Sequence, residues 1–245
     1  MSRAFSVSDT KQVMFSKGNL QYQASTNTWR FAENQYDMIG EGNLKTSKAN
    51  SDWIDLFGWG TSGYDGKYPY TASIKVPDYY DYHLFRTNYD WGVYNAISNG
   101  GNEKGLWRTL TAEEWQYLLV TRENAAEKYA NATVNDVHGL ILLPDICEIP
   151  RNLPFNHTAK DWKANIYSAS DWLKMQDAGV VFFPAAGWRV NGTYINDVGE
   201  YGIYWSSSHH FANYSLCMFF AMKTIKANPE FDKRCGHSVR LVRDL

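Results

Sequence analysis

Apolar and polar residues alternate with a period of two at the start of the chain: Val13 and Phe15, Leu20 and Tyr22, then Trp29 and Phe31. The runs are separated by Lys17-Gly18-Asn19 and by Ser25-Thr26-Asn27-Thr28. Period-two runs broken by such clusters predict short antiparallel strands joined by tight turns, here the start of a β-meander. From 52 to 102 the period disappears. The segment is rich in Gly, Tyr and Asp, with Trp53, Phe57, Trp59, Tyr64 and Trp91 among turn formers. Glycines let the backbone pass close to ring faces, so this stretch predicts a long ordered loop held by aromatic side chains.

A helical pattern first appears at 110–119. Thr111 with Glu114 three residues later makes a capping box, and Trp115, Leu118 and Leu119 fall on one helical face. Val137 to Leu143 is an apolar run ended by Pro144, which predicts a buried strand. A second helix is predicted from a cap at Ser170 to a stop at Gly179. Residues 180–183 then form a core strand running through Pro184 into a Gly187-Trp188 turn, and strands resume from Tyr194 to the end. Helices this few among many short strands predict the α+β class.

The last segment is organised differently. An aromatic-serine corner, YWSSS at 204–208, and an alternating run, SVRLVR at 238–243, bracket about thirty residues that follow no single period. A strand that only needs a packed face does not call for that mixture.

Composition adjusts this picture in three respects. The length of 245 residues and 44% hydrophobic content suffice for one continuous domain, with no linker-like stretch dividing it. The 24 basic and 26 acidic residues nearly cancel, so no global field points to nucleic acid, and no apolar run is long enough for membrane insertion. Aromatics are in excess, with 10 Trp, 17 Tyr and 12 Phe, and tyrosine in particular suits surfaces that make contacts. The N-terminus lacks the charged and apolar regions of a signal peptide. Cys147, Cys217 and Cys235 show neither CxxC spacing nor an even count, leaving one optional bridge between Cys217 and Cys235.

The candidate chemistry is that of recognition. His209 and His210 are adjacent and lack a carboxylate at ligand spacing, so they read as loop histidines and no metal is predicted. Asp52, Asp55, Asp65, Asp78 and Asp81 lack calcium-loop spacing and read as loop structure. Cys217, beside Met218 and two phenylalanines, reads as a small hydrophobe. The predicted ligand-binding residues are His210, Phe211, Asn213, Tyr214, Cys217, Phe219, Lys223, Phe231 and Lys233, with about half of the apolar ones assigned to the core by strand alternation. Aromatic anchors among short polar groups are the chemistry of antibody-like contact surfaces. Lys223, Lys226, Lys233 and Arg234 add a local basic cluster.

Separated motifs also carry a resemblance. WRTLTAEEWQYL at 107–118 is similar to the R-L-P-T-E-A-E-W-E-Y helix motif of formylglycine-generating-enzyme-like proteins, a branch of the C-type-lectin fold. FPAAG at 183–187, YWSSS and SVRLVR resemble related domains of gut Bacteroidales and their phages, including variable proteins of diversity-generating retroelements. The resemblance implies a C-type-lectin-like α+β fold with a twisted antiparallel sheet, two helices and long ordered loops. It also implies a ligand-binding segment at 204–243 whose interior is diversified on a fixed frame. The oxidases of this branch use a close cysteine pair, whereas Cys217 and Cys235 stand eighteen residues apart and YWSSS replaces their Arg-Gly-Gly-Ser-Trp run. The expected function is therefore non-catalytic, without a cofactor: an extracellular, virion or cell-surface displayed protein that binds a cell-surface protein or glycan, with an oligomer left open. A formylglycine-generating-type oxidase or a structural tail or pilus component is the alternative.

Overall fold

The computed structural model describes residues 3–71, 84–159, 161–190 and 192–245, so Asp78 and Asp81 lie outside the described residues. The first half contributes β1 (Phe5–Ser6), β2 (Gln12–Phe15), β3 (Leu20–Gln23), β4 (Thr28–Phe31), β5 (Trp53–Ile54), α1 (Trp91–Tyr94), β6 (Arg108–Thr109) and α2 (Ala112–Gln116). Next come β7 (Tyr129–Val134), β8 (Val137–Leu142), β9 (Ile166–Tyr167), α3 (Ala169–Asp177) and β10 (Val181–Pro184). The last quarter holds β11 (Trp188–Val190), β12 (Tyr194–Asn196), β13 (Gly202–Phe211), β14 (Tyr214–Ala221), β15 (Thr224–Lys226), β16 (Glu230–Asp232) and β17 (Leu241–Asp244). Small, mainly antiparallel sheets with short helices make this an α+β protein.

The opening strands divide between two sheets instead of forming one meander. β3 and β4 make the expected hairpin, with β5 on the other side of β3. β2 lies between β1 and the last strand, β17, which pairs in turn with β6. The chain leaves β2 so close to the end of β4 that a Cβ on Gly18 would stand 2.5 Å from the Ala32 carbonyl oxygen. Only glycine permits that approach.

α2 starts where its pattern indicates. Thr111 Oγ1 accepts from the Glu114 amide at 3.2 Å, and Glu114 Oε2 accepts from the Thr111 amide at 2.9 Å. Arg108 donates to both Glu114 oxygens at 2.7 and 2.8 Å and to Asp244 Oδ1 through Nε at 2.9 Å, which ties β6, α2 and β17 together. Bidentate geometry suits such a nearly buried pair. The helix then passes into a π-helical turn, Tyr117–Thr121, that still directs Leu118 and Leu119 into the core. α3 begins earlier than expected: its cap is Ser168, whose Oγ accepts from the Asp171 amide at 3.1 Å, so Ser170 lies inside the helix. It stops at Gly179, at φ +93°, where the amide of Val180 reaches back to the Met175 carbonyl at 3.1 Å. Within the aromatic loop a further short helix, α1, is capped by buried Asp90, which accepts from Gly92 N at 3.1 Å and from Thr109 N at 2.9 Å.

The β13–β14 hairpin lies between two hydrophobic clusters. Tyr204, Met218 and Phe220 face one, with Phe15, Trp115, Leu140 and Phe183. Ile203, Trp205 and Cys217 face the other, with Trp29, Phe57, Trp91 and Trp107. Successive residues of a strand point to opposite faces, so both faces of this strand pair are covered at their base. A third cluster packs α3 against β7, β8 and β10 through Trp172, Met175 and Phe182.

Candidate functional site

The hairpin emerges from the core at its far end. β13 and β14 pair regularly from Gly202↔Phe220 to Trp205↔Cys217, then shift register before His209↔Ser215 and again before Phe211↔Tyr214. At this first shift, hydroxyls from both strands take the place of ladder bonds. Ser206 Oγ donates to the Leu216 carbonyl at 2.7 Å, and Ser215 Oγ donates to that of Ser208 at 2.6 Å. Ser208 Oγ accepts from the Ala112 amide at 3.0 Å, which fixes the corner to the start of α2.

Beyond the corner the side chains turn outward. Phe211 is 61% exposed and Tyr214 44% exposed, with half-buried Asn213 between them in sequence. The His210 ring lies 4.1 Å from that of Phe211, and its Nε2 is 2.9 Å from Glu230 Oε1 on the neighbouring strand β16. Behind this tip, an aromatic row runs from exposed Tyr201 to half-buried Phe219 at 5.4 Å between ring centroids, and from Phe219 to half-buried Phe231 at 6.0 Å. Phe231 rests on buried His237 at 5.2 Å. The result is an exposed aromatic and amide tip on a backbone that is bonded from below.

Two predicted ligand contacts are corrected. Cys217 is fully buried because its strand position points into the cluster of Trp29 and Trp205, so no partner reaches it. Lys233 is also fully buried and acts as a strut under the tip. Its Nζ donates to His209 Nδ1 at 2.6 Å and to the Ala212 carbonyl at 3.2 Å, lies 4.6 Å from the centroid of the Trp59 ring, and its backbone amide donates to the Asn213 carbonyl at 2.9 Å. Burial of an ammonium is tolerated because those acceptors replace water. Lys223 is exposed, but it lies in the turn between β14 and β15, at the opposite end of the eight-residue β14 from the tip. The expected basic cluster does not assemble either, since Arg234 is engaged by Asp232, with its Nε 2.9 Å from Oδ1.

Thiol chemistry is poorly supported by these surroundings. Cys217 and Cys235 are free thiols. Burial, reinforced by Cys235, holds Cys217 well above its ordinary pKa, and burial followed by Asp232 pushes Cys235 up to about 11. Both shifts suppress the reactive thiolate near neutrality. Of the acidic loop residues, Asp55 is buried and accepts from Asn43 Nδ2 at 2.8 Å and Ile39 N at 3.1 Å, while Asp65 accepts from Tyr89 OH at 3.1 Å. Asp52 pairs with Lys45. Among the described residues no group of His, Cys, Asp or Glu is arranged to hold a metal ion, and no helix is long and apolar enough to cross a membrane.

Sequence reading missed the Lys233–His209 strut and the His210–Glu230 pair, whose members lie 24 and 20 positions apart and meet only through the β13–β14–β16 arrangement. Compared with family models, curated proteins and solved structures, the chain matches none of them.

Proposed function

We propose that this chain is a non-catalytic recognition protein of C-type-lectin-like architecture, displayed on a cell or virion, that binds a cell-surface protein or glycan through the tip of its β13–β14 hairpin. The observation that carries this reading is the pairing of an exposed Phe211–Tyr214 tip with a buried strut, Lys233, that orders it from beneath. A contact surface of this kind gains affinity from a few aromatic anchors and loses little entropy on binding when its backbone is already fixed. Tyr201, Phe219 and Phe231 extend the surface along the sheet. In this reading 204–208 and 238–243, buried but for half-buried Arg243, are the constant frame, and a retroelement would diversify the tip between them.

The test is an array of glycans and cell-surface proteins probed with the wild-type chain and with Phe211→Ala. Phe211 has so little buried area that its loss should lower stability by under about 1 kcal/mol, shifting Tm by no more than a few degrees, while an anchor role costs about 2 kcal/mol of binding, roughly thirtyfold. Equal binding by both proteins to every hit would remove the tip from the reading. For diversification, the decisive observation is a near-copy of the 3′ end of the gene nearby, differing only at adenines.

A further inference from the structure

A second concave feature is built without the hairpin. The end of β3 and its turn, the loop around 62–70 and the end of α1 line a cleft of about 260 Å³, to which the 204–243 segment contributes no lining residue. That volume is below the range of about 300 to 1,000 Å³ for clefts that bury drug-sized ligands, so the space suits an occupant of one ring.

Tyrosine dominates the lining, with Tyr22, Tyr68, Tyr70 and Tyr94. The rings of Tyr68 and Tyr70 stack with centroids 5.2 Å apart and planes within 11° of each other. Half-buried Tyr70 packs against the cluster of Trp29 and Phe57, and Tyr68, 46% exposed, is layered on it. The pair is an aromatic plate with its inner side covered and its outer side open. Its backbone is tied down on both sides. The Thr71 amide donates to the Tyr68 carbonyl at 3.1 Å, the Gly63 amide donates to that of Lys67 at 2.9 Å, and the Thr71 carbonyl accepts from buried Arg189 Nη1 at 3.3 Å. A plate ordered in advance loses little freedom when it is covered.

Polar groups stand around the plate. Tyr22 OH donates to Asn27 Oδ1 at 3.0 Å, and burial, followed by Tyr70 and Tyr68, pushes its pKa up to about 12, so three neutral phenols lie near one another. Accepting at Oδ1 leaves Asn27 its Nδ2 donors. Asn95 spends both amide hydrogens on the Ser62 and Trp91 carbonyls, at 2.9 and 3.1 Å, so its Oδ1 is the acceptor it has left. Lys48 is the charged side chain of the described lining, and it is exposed. The cleft therefore combines one apolar plate with scattered donors and acceptors and a single positive charge.

We propose that this cleft binds one hexopyranose unit bearing a carboxylate, a uronic acid residue of a glycan, with its ring laid on the Tyr68–Tyr70 plate. A pyranose has an apolar C–H face and an edge of hydroxyls, each both donor and acceptor, which suits phenols and amides spread around a plate. Lys48 would meet the carboxylate. An organic cation fits less well, because Lys48 repels it and Lys104 Nζ already lies 4.9 Å from the centroid of the Tyr94 ring. The site shares no residue with the hairpin tip, so it stands or fails independently of the function proposed above.

The experiment is titration of the isotope-labelled chain with methyl β-D-glucuronide, methyl β-D-glucoside and adenosine, followed through the backbone amide resonances of Gly63, Tyr68 and Asn95. The glucuronide should shift these saturably, at millimolar concentration, and the glucoside about two- to fivefold more weakly; Lys48→Gln should remove that difference. Tyr68→Ala should weaken both sugars at least about fivefold, while Tyr68→Phe, which keeps the plate, and Phe211→Ala should hold them within about twofold. Absence of saturable shifts at these amides with both sugars overturns the proposal, as does sugar binding that survives Tyr68→Ala or fails on Phe211→Ala. Adenosine binding as tightly as the glucuronide also overturns it, since the plate would then be a general stacking surface for flat rings.

Discussion

Replacing His237 with leucine should remove a pH dependence that the wild-type protein carries in its core. The backbone of His237 exchanges hydrogen bonds with Phe57 at 2.9 and 3.0 Å, and its ring lies 4.4 Å from Trp205 and 5.2 Å from Phe231 between centroids. Among the described residues neither ring nitrogen has a partner. Burial lowers its pKa from 6.5 to about 3, with Asp232 opposing and Arg189 assisting. The unfolded imidazole takes up a proton below about pH 6.5, and the folded one refuses it until about pH 3. Stability from this group is therefore complete above pH 6.5 and is lost as the pH falls towards 3. At 1.36 kcal/mol per pH unit the whole window is worth about 5 kcal/mol, and the part between pH 6.5 and 5 about 2 kcal/mol. Buried Asp55 and Asp90, both raised by burial to about 6, have the opposite slope, because their folded forms are protonated at higher pH than the unfolded ones. The raw wild-type curve mixes these slopes. The informative quantity is the difference in unfolding free energy between His237→Leu and wild type, from urea titrations at pH 7, 6, 5.5 and 5. That difference should move in favour of the variant by about 2 kcal/mol over this range. A difference that stays constant within about 0.5 kcal/mol would show that the imidazole is hydrated or paired in solution, and would refute the argument.

Other substitutions probe the frame. Ser168→Ala should cost about 1 kcal/mol of stability and Ser170→Ala a few tenths, by thermal denaturation, because only Ser168 caps α3; the reverse order would return the cap to Ser170. Gly202→Ala should destabilise by about 1 to 3 kcal/mol, since its Cβ would stand 2.0 Å from the buried Phe220 ring at the base of the hairpin, and an unchanged Tm would show that the ring can move aside. Glu114→Ala should cost about 3 to 5 kcal/mol by stranding the nearly buried Arg108 guanidinium and dissolving the capping box together; a loss below about 1 kcal/mol would mean that Asp244 alone sustains Arg108.

The legible parts of this fold are those specified by neighbours in sequence. Thr111 and Glu114 state their own capping box, Gly179 states its own helix stop, and the alternation through Val13, Phe15, Leu20, Tyr22, Trp29 and Phe31 marks residues that are all buried. Which strands pair is decided elsewhere. β2 and β3 share one pattern, yet they enter different sheets because the C-terminal β17 takes the place beside β2. Local pattern carries no information about a strand more than two hundred residues away.

The candidate site shows why alternation misleads at its own boundary. Serine and arginine normally signal exposure, but Ser206, Ser207, Ser208, Ser238 and Arg240 are all buried here. The polar groups that belong to this interior close a register shift or span between layers, as Ser206 does with the Leu216 carbonyl and Arg240 Nη1 with Asn19 Oδ1 at 3.3 Å. Lys233 is the extreme case. In sequence it is one more cation in a basic stretch, whereas in the fold its ammonium meets a histidine and a carbonyl from the hairpin it supports. A charge that would be a weak, mobile contact at the surface becomes, once buried, the means of holding Phe211 and Tyr214 in place. The strut reaches the hairpin through His209 and the Ala212 carbonyl, not through the rings of Phe211 or Tyr214, so exchanging those two side chains should leave it in place, whereas removing the Lys233 ammonium should loosen the whole tip.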